Sequence, residues 1–300
     1  MDVVTGAFSF TGRYVAARLL ELGREVRTLT RRAQSESPFG DRVRAAPLDF
    51  ADQPALAESL RGADTLYNTY WIRFPRAGLT FEQATANTRT LLEAAAAAGV
   101  RRVVQLSVTN ASADSPFPYF REKAAVEAAV AESGLSFAIV RPTLLFGTGE
   151  VLVNNVAWLL RRSPLFLVPG SGCYLVQPVA AEDVAELCVE AASSTEDSVI
   201  EAAGPDVFTF EELVRLVRAV IHGRAAIVHG SPRLTLALCR CLEPLAGDTV
   251  LTRDELGSLM ASLLAAESRP LGARRFEEWL TARRDSLGTS FASDLRRPWG

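Results

Sequence analysis

The first 140 residues alternate between short apolar segments and longer segments with helical periodicity, and this alternation constrains the fold most strongly. Runs such as "DVVTG", "VRAAPLDF" and "RRVVQLSV" have the length and composition of strands. The segments "TGRYVAARLLELG" and "TFEQATANTRTLLEAAAAAGV" carry apolar residues at three- and four-residue spacing. Strands that alternate with helices in this way form βαβ units. The pattern therefore predicts an α/β fold with a doubly wound parallel sheet of the Rossmann type.

The alternation loosens after "RPTLLFG", where helical segments such as "VLVNNVAWLLRRSP" and "FTFEELVRLVRAVI" follow turn-rich stretches. We therefore expect a Rossmann domain over residues 1–145. Residues 146–300 are expected to form a smaller, mostly helical C-terminal cap that returns in part to the main sheet.

The composition excludes several classes of function. A net charge of −3 predicts no nucleic-acid surface. The sequence has no uninterrupted apolar run of about 18 residues, so no membrane span is expected. The N-terminal "MDVVTGAF" does not resemble a signal peptide, which predicts a cytoplasmic location. Four cysteines without a CxxC pair and only two histidines predict no metal site and reduced thiols.

A glycine-containing loop, "GAFSFTG", joins the first predicted strand to the first predicted helix. Glycine lets a backbone turn tightly against a pyrophosphate, and the N-terminus of the following helix attracts anions. The loop therefore predicts a dinucleotide site formed by Gly6, Ser9, Phe10, Thr11 and Gly12. Ser9 replaces the usual middle glycine and fits if its hydroxyl helps to hold phosphate. An ordinary strand-to-helix turn is the alternative.

The second predicted strand ends in "RTLTRR", without the acidic residue that binds the adenosine ribose of NAD about 20 residues after the loop. Arg31 and Arg32 can contact a 2′-phosphate, so NADP(H) is the expected cofactor and NAD(H) remains possible. A solvated strand end is the alternative. Asp49 and Phe50 follow the third strand and can bracket the adenine, or can simply begin a loop.

Tyr119 and Lys123 lie four residues apart at the start of a predicted helix, so their side chains share one face. A phenol with an ordinary pKa of about 10 is a poor acid–base catalyst, and a nearby ammonium lowers that pKa. Ser107 ends a buried strand, where its hydroxyl can polarise a substrate carbonyl. The tyrosine–lysine pair is common by chance, but here it accompanies the serine and the glycine loop.

Four segments together resemble one family. They are "TGAFSFTGRYVAARLLELGREVRTLTRR", "LLEAAAAAGVRRVVQLSVTNAS", "PYFREKAAVEAAVAESGLSFAIVRPTLLFG" and "VQPVAAEDVAE". The chain resembles the atypical short-chain dehydrogenases/reductases related to the extended enzymes. This group contains NmrA-like proteins, the NAD(P)-binding accessory subunit of mitochondrial complex I and putative nucleoside-diphosphate-sugar epimerases.

The resemblance implies a role for each matched residue. It makes Tyr119 the acid–base residue and Lys123 the residue that binds ribose and lowers the tyrosine pKa. Ser107 orients the substrate carbonyl, and Pro142 and Thr143 line the nicotinamide side. The family's relay asparagine has no secure match, since the nearest candidate, Asn87, is about one helical turn away.

These observations favour an NAD(P)-dependent oxidoreductase or epimerase that transfers a hydride to or from an unknown small-molecule substrate. The alternative is a non-catalytic NAD(P)H-binding redox sensor or assembly protein, because some members of this group bind the cofactor without a demonstrated reaction. Pairing of the flanking helices in a homodimer is possible by analogy alone.

Overall fold

The computed structural model describes residues 1–293. The strands in that range are β1 (Asp2–Thr5), β2 (Val26–Thr30), β3 (Val43–Pro47), β4 (Thr65–Asn68), β5 (Arg102–Leu106), β6 (Ser136–Pro142), β7 (Leu144–Phe146), β8 (Leu165–Pro169), β9 (Leu175–Val176), β10 (Pro178–Ala180), β11 (Ser198–Ala202), β12 (Phe208–Thr209) and β13 (Ala226–Gly230). The helices are α1 (Phe10–Glu21), α2 (Gln53–Leu60), α3 (Phe81–Ala97), α4 (Pro118–Glu132), α5 (Leu152–Arg162), α6 (Ala181–Ser193), α7 (Phe210–Val220), α8 (Pro232–Ala246), α9 (Arg253–Met260) and α10 (Phe276–Arg283).

The described residues divide into two compact units. The first contains Met1–Pro142 and Ala181–Ala202, and the second contains Thr143–Ala180 and residues 203–293. The first unit therefore contains the glycine loop, the predicted tyrosine–lysine pair and a later helix–strand segment, α6 and β11.

Seven strands of the first unit form one sheet in the order β11-β6-β5-β4-β1-β2-β3. Every neighbouring pair in this sheet is parallel. The strand order reverses between β1 and β4, and in such sheets ligands bind beyond the carboxyl ends of the strands at this switch point. The predicted doubly wound Rossmann fold is confirmed.

Buried strands and amphipathic helices explain why this sheet forms. All residues of β1, β4 and β5 are buried, as expected for a parallel sheet covered by helices. Helix α1 packs on α6, and α3 packs between α2 and α4. Side-chain caps fix two helix starts, since Asp52 accepts from the Ala55 amide at 3.0 Å and Thr80 accepts from the Gln83 amide at 3.2 Å.

The second unit is mostly helical, as predicted, with α5 and α7–α10 arranged with three two-stranded ladders. Its core includes Phe146, Leu160, Leu213 and Phe276, all nearly inaccessible to solvent. Capping boxes begin α7 and α9. Within residues 1–293, no helix combines the length and apolarity needed to cross a bilayer.

Candidate functional site

The glycine loop holds β1 and α1 in direct backbone contact. Gly6 has a φ of 66°, a left-handed conformation that favours glycine, and its amide donates to the Leu29 carbonyl at 2.9 Å. A Cβ placed on Gly12 would lie 2.2 Å from the Gly6 carbonyl oxygen and 3.0 Å from the Thr69 hydroxyl. Only glycine fits at position 12 without displacing the backbone. The loop thus has the close helix–strand approach of a dinucleotide-binding turn.

Ser9 closes this loop instead of capping the helix. Its hydroxyl donates to the Gly6 carbonyl at 2.6 Å, and it makes no side-chain bond to the amides of α1. The first-turn amides, which include those of Phe10, Thr11 and Gly12, lack intrahelical acceptors in any α-helix. These amides and the helix dipole provide the anion-binding character of the turn. The expected hydroxyl–phosphate contact of Ser9 stays a prediction, and it requires the bond to Gly6 to break.

Arg31 and Arg32 follow directly after β2. Arg31 is exposed, whereas burial lowers the pKa of the Arg32 guanidinium. Tyr70 follows β4 and is buried, and its hydroxyl accepts from the Asn87 amide at 2.8 Å. Burial raises the pKa of the Tyr70 phenol, while the Asn87 hydrogen bond and the charge of Arg31 act in the opposite direction. The charge of Arg31 therefore acts on the phenol of Tyr70, which follows β4 at the carboxyl edge of the sheet.

The two candidate adenine residues have local partners. The Asp49 carboxylate accepts from the Ala51 amide at 2.9 Å, which is a turn bond and fits the loop-start alternative. The Phe50 ring lies 4.9 Å from the Tyr70 ring between centroids. Phe50 and Tyr70 thus form an aromatic pair, and the adenine role of Asp49 and Phe50 stays a prediction.

Helix α4 begins at Pro118, so Tyr119 lies in its first turn and Lys123 one turn later. Both side chains contact Trp71, which follows β4. The Lys123 Nζ lies 4.5 Å from the centre of the Trp71 ring, and the Tyr119 ring meets the same indole edge-on at 6.1 Å. Phe81 also meets the Tyr119 ring edge-on, at 5.7 Å. The tyrosine and the lysine therefore converge on one indole.

Lys123 is 2% exposed, and its Nζ donates to the Leu106 carbonyl at 3.0 Å. That carbonyl belongs to the peptide that joins Leu106 to Ser107, so the amine lies beside the end of β5. Burial lowers the pKa of Lys123 to about 7, and the Glu127 carboxylate opposes this effect. Burial thus favours the neutral amine at Lys123, and the Glu127 carboxylate favours the ammonium.

Ser107 is 4% exposed, and its hydroxyl donates to Glu127 Oε1 at 2.5 Å. The same carboxylate accepts two bonds from Arg141, at 2.9 Å and 2.5 Å. Arg141 also donates to Glu201 at 3.2 Å. The Ser107 hydrogen is engaged by Glu127, so the predicted polarisation of a substrate carbonyl requires this bond to open. That role stays a prediction.

The remaining predicted residues make separate contacts. Pro142 ends β6, and its carbonyl accepts from the Thr109 amide at 2.9 Å. Thr143 is 5% exposed, and among the described residues its buried hydroxyl has no hydrogen-bond partner. Asn87 accepts from Gln83 at 3.0 Å in addition to donating to Tyr70. Its amide is therefore engaged with neighbours at the Tyr70 side of the sheet edge.

A comparison with known families identifies the chain. Residues 6–195 match the family model described as NAD(P)H-binding, a range that begins at the glycine loop and ends after helix α6. The chain belongs to this NAD(P)H-binding family. The resemblance stated from the sequence is confirmed at this level.

Proteins with similar sequences carry different names. The chain is 29% identical over 230 residues to the mitochondrial NADH dehydrogenase [ubiquinone] 1 alpha subcomplex subunit 9 of Arabidopsis thaliana, covering 73% of the chain and 57% of that protein. It is 30% identical over 218 residues to a Streptomyces griseus (4-alkanoyl-5-oxo-2,5-dihydrofuran-3-yl)methyl phosphate reductase, covering 71% of each. The chain therefore spans little more than half of the plant relative.

The triphenylmethane reductase of Citrobacter sp., solved in complex with NADP(H), shares the fold with a TM-score of 0.76. The alignment covers 95% of this chain and 100% of that one at 17% identity, so it supports the fold alone.

The residues of this NAD(P)H-binding protein fit a nicotinamide dinucleotide. Gly12 lets the start of α1 lie against the Gly6 carbonyl, and the start of α1 supplies amide donors for a diphosphate. Phe10, Thr11, Arg31 and Arg32 lie at the same carboxyl edge of the sheet, after β1 and β2.

The position of Trp71 after the fourth strand placed it at the cofactor edge, but sequence reasoning did not identify Glu127 or Arg141 as parts of the site. A signal existed for each charged residue. Glu127 lies four residues after Lys123, on the same helix face, and Arg141 interrupts the apolar strand "SFAIVRP", where a charge requires a partner. A stronger signal was Lys123 itself, because it is the only lysine in the chain and the other 31 basic residues are arginines. Among residues 1–293, no cluster of histidine, cysteine and acidic side chains has a metal-binding arrangement.

Proposed function

We propose that this protein is an NADP(H)-dependent oxidoreductase in which Tyr119 exchanges a proton with the substrate oxygen and Lys123 supplies the charge that makes this exchange possible. The observation that carries the proposal is the environment of the single lysine. A sequence that otherwise uses arginine has a lysine at this position, buried and bonded to the end of β5. An ammonium at this position, one turn after Tyr119 on the same helix face, can stabilise a phenolate.

The bound nicotinamide would supply or accept the hydride. The chain's own residues hold and move the proton. Tyr119 lies in the first turn of α4, and Lys123 lies on the same face. A charged Lys123 favours the phenolate over the phenol, which brings the tyrosine toward its working range. Trp71 and Phe81 pack edge-on against the ring of Tyr119, which is half-buried.

Cofactor preference follows from the end of β2. Arg31 is exposed there, and no acidic residue takes the position that would favour NAD(H). We expect Arg31→Ala to weaken NADPH binding about tenfold and to leave NADH binding within about twofold, because one charge-assisted phosphate contact is lost. Arg44→Ala is the control, since Arg44 is an exposed arginine on β3 paired with Glu25. Equal losses for both cofactors would contradict the NADP(H) preference.

The proton role is tested with Tyr119→Phe, which removes the hydroxyl and preserves the ring contacts with Trp71 and Phe81. We expect turnover of a panel of quinones, ketones and nucleotide sugars with NADPH to fall at least about 100-fold, the typical contribution of general acid catalysis. NADPH affinity, followed by tryptophan fluorescence, should stay within about threefold. Tyr174→Phe is the control, because Tyr174 lies in the second unit and its hydroxyl bonds only locally, to Pro169.

One observation favours a second candidate function, a non-catalytic NAD(P)H-binding protein. The Trp71 indole covers the Lys123 amine and touches Tyr119, so a side chain of the protein itself lies against both proposed reacting groups. If NADPH binds, no panel substrate is turned over and Trp71→Ala does not produce turnover, this second function is favoured. Turnover that depends on Tyr119 excludes it.

A further inference from the structure

The charged groups around Lys123 form a connected cluster that the tyrosine–lysine pair does not explain. Lys123 and Glu127 lie four residues apart on α4, are 2% and 8% exposed, and face the end of β5. Arg141 on β6 holds Glu127 through two hydrogen bonds, and Glu201 on β11 holds Arg141. Two positive and two negative groups thus lie together at one edge of the sheet.

We propose that Glu127 is a positioning residue of this site: its carboxylate, fixed by Arg141, takes the hydrogen of Ser107 and holds negative charge beside the Lys123 ammonium. The inference rests on the proposed function for its purpose, which is to keep Lys123 charged and Ser107 oriented. Its geometry stands independently on the bonds of Ser107 and Arg141 to the same carboxylate.

Arg141 makes this arrangement rigid. A guanidinium that donates two bonds to one carboxylate restricts both the position and the rotation of that carboxylate. Glu127 then directs one oxygen at Ser107, and the serine hydroxyl has a single preferred orientation. While its hydrogen is on Glu127, the Ser107 oxygen can only accept a hydrogen bond from another group. Ser107 therefore presents an acceptor, suited to a hydroxyl donor, to whatever lies in front of it.

Glu127 also opposes the desolvation of Lys123. Burial favours the neutral amine, and the nearby carboxylate favours the ammonium. The groups that face Lys123 are the Leu106 carbonyl from β5, the Trp71 ring from the segment after β4, and Glu127 from its own helix. Arg141 and Glu201 lie behind Glu127. Removal of the Glu127 charge should therefore shift the protonation of Lys123 to lower pH.

The single lysine makes a direct measurement possible. Protein grown with lysine labelled with ¹³C at Cε gives one lysine signal, that of Lys123, and the pH dependence of this signal gives the titration midpoint without cofactor or substrate. We expect Glu127→Gln to lower the midpoint by about one pH unit, as for loss of one nearby opposite charge. Glu201→Gln should lower it less, because Glu201 contacts Arg141 rather than Glu127.

Glu132→Gln is the matched control, since Glu132 lies on the same helix with a side chain 71% exposed, and its midpoint should equal that of the native protein. An unchanged midpoint in folded Glu127→Gln, or an equal shift in Glu132→Gln, would overturn the proposal. If Glu127→Gln does not fold because Arg141 faces an amide, Glu127→Leu combined with Arg141→Met removes both charges, and the midpoint should again fall. An unchanged midpoint in this double variant also overturns the proposal.

The outcome is separate from that of the proposed function. The titration uses the free protein, so a midpoint that ignores Glu127 removes the positioning role even if Tyr119→Phe abolishes turnover. Conversely, a lowered midpoint without any turnover keeps the positioning role and removes the oxidoreductase activity.

Discussion

The glycine loop and the Lys123 cluster lie at the same edge of one sheet, but backbone groups form the loop and side chains form the cluster. The loop is made of backbone: Gly12 lies against the Gly6 carbonyl, and the amides of α1 face outward from the turn. The cluster is made of side chains that satisfy one another, from Ser107 through Glu127 to Arg141. A site made of backbone groups is fixed once the fold forms, whereas the side chains of a site can also hydrogen-bond to one another instead of to a ligand.

Because of this difference, mutations can affect anion binding by the loop separately from the proposed proton transfer by the cluster. An anion site formed by a helix start needs no particular side chain, only the absence of one at position 12. The Lys123 cluster depends on the identity of every member, because each buried charge requires its partner. Changes in the loop should therefore act through space and stability, and changes in the cluster through charge and pH.

The largest expected effect comes from filling the loop. Gly12→Ala places a Cβ 2.2 Å from the Gly6 carbonyl oxygen, so the backbone must shift. We expect the free energy of unfolding to fall by about 2 to 3 kcal/mol and NADPH binding to be lost. Helix propensity alone predicts the opposite sign, a gain of about 1 kcal/mol. Urea unfolding and cofactor titration of the variant decide between them, and a stabilised variant would mean that the contact is absent.

The next effect is a pH dependence that comes from the cluster. Burial lowers the pKa of Lys123 to about 7, while an unfolded lysine has a pKa of about 10.4. Above pH 7 the unfolded chain therefore binds more protons than the folded one, and the free energy of unfolding should rise by up to about 1.4 kcal/mol per pH unit. We expect this rise between pH 7 and 8 in the native protein and not in Lys123→Met.

The difference in the free energy of unfolding between the native protein and Lys123→Met at each pH isolates the contribution of the lysine. Burial also raises the pKa of the thiols of Cys188 and Cys239, to about 12 and about 11, and this lowers stability at pH values where unfolded thiols ionise. That contribution is common to both proteins and cancels in the difference. Parallel stability curves for the native protein and Lys123→Met would show that the lysine is not desolvated as described.

A smaller effect is expected from the hydroxyl that closes the loop. Ser9→Ala removes the 2.6 Å bond to the Gly6 carbonyl, and we expect a loss of about 1 kcal/mol in the free energy of unfolding. NADPH affinity should fall only a few-fold if the backbone amides provide most of the binding. A loss of affinity as large as that in Gly12→Ala would show instead that the hydroxyl itself contacts phosphate. Thermal unfolding and fluorescence titration provide both numbers.

The smallest effect is expected at Trp71, whose indole covers Lys123. The Trp71 indole nitrogen is buried, and among residues 1–293 it has no hydrogen-bond acceptor. Trp71→Phe removes this donor and keeps an aromatic ring against Lys123, so we expect the free energy of unfolding to change by less than about 1 kcal/mol. A much larger loss would indicate that the indole makes a bond that phenylalanine cannot replace. Denaturant unfolding of the variant measures it.

Much of the fold was predictable because its signals are local. The alternation of strand and helix segments, Gly6 at the first turn and the start of α4 at Pro118 all depend on neighbours in the sequence. The predicted strand "VRAAPLDF" was too long, since β3 covers only Val43–Pro47, and the next strand, β4, ends at Asn68. Beyond that point the chain leaves the sheet, and Tyr70 and Trp71 take part in side-chain clusters instead.

Local sequence signals predict the doubly wound sheet, the loop between β1 and α1, and the shared helix face of Tyr119 and Lys123, since each follows from backbone geometry over a few residues. The packed structure was needed to show that Ser107 bonds to Glu127, that Arg141 holds that carboxylate, and that Trp71 covers Lys123. These contacts join residues from separate strands and helices, and the direction of a buried hydrogen bond depends on which partners the packed sheet brings within reach.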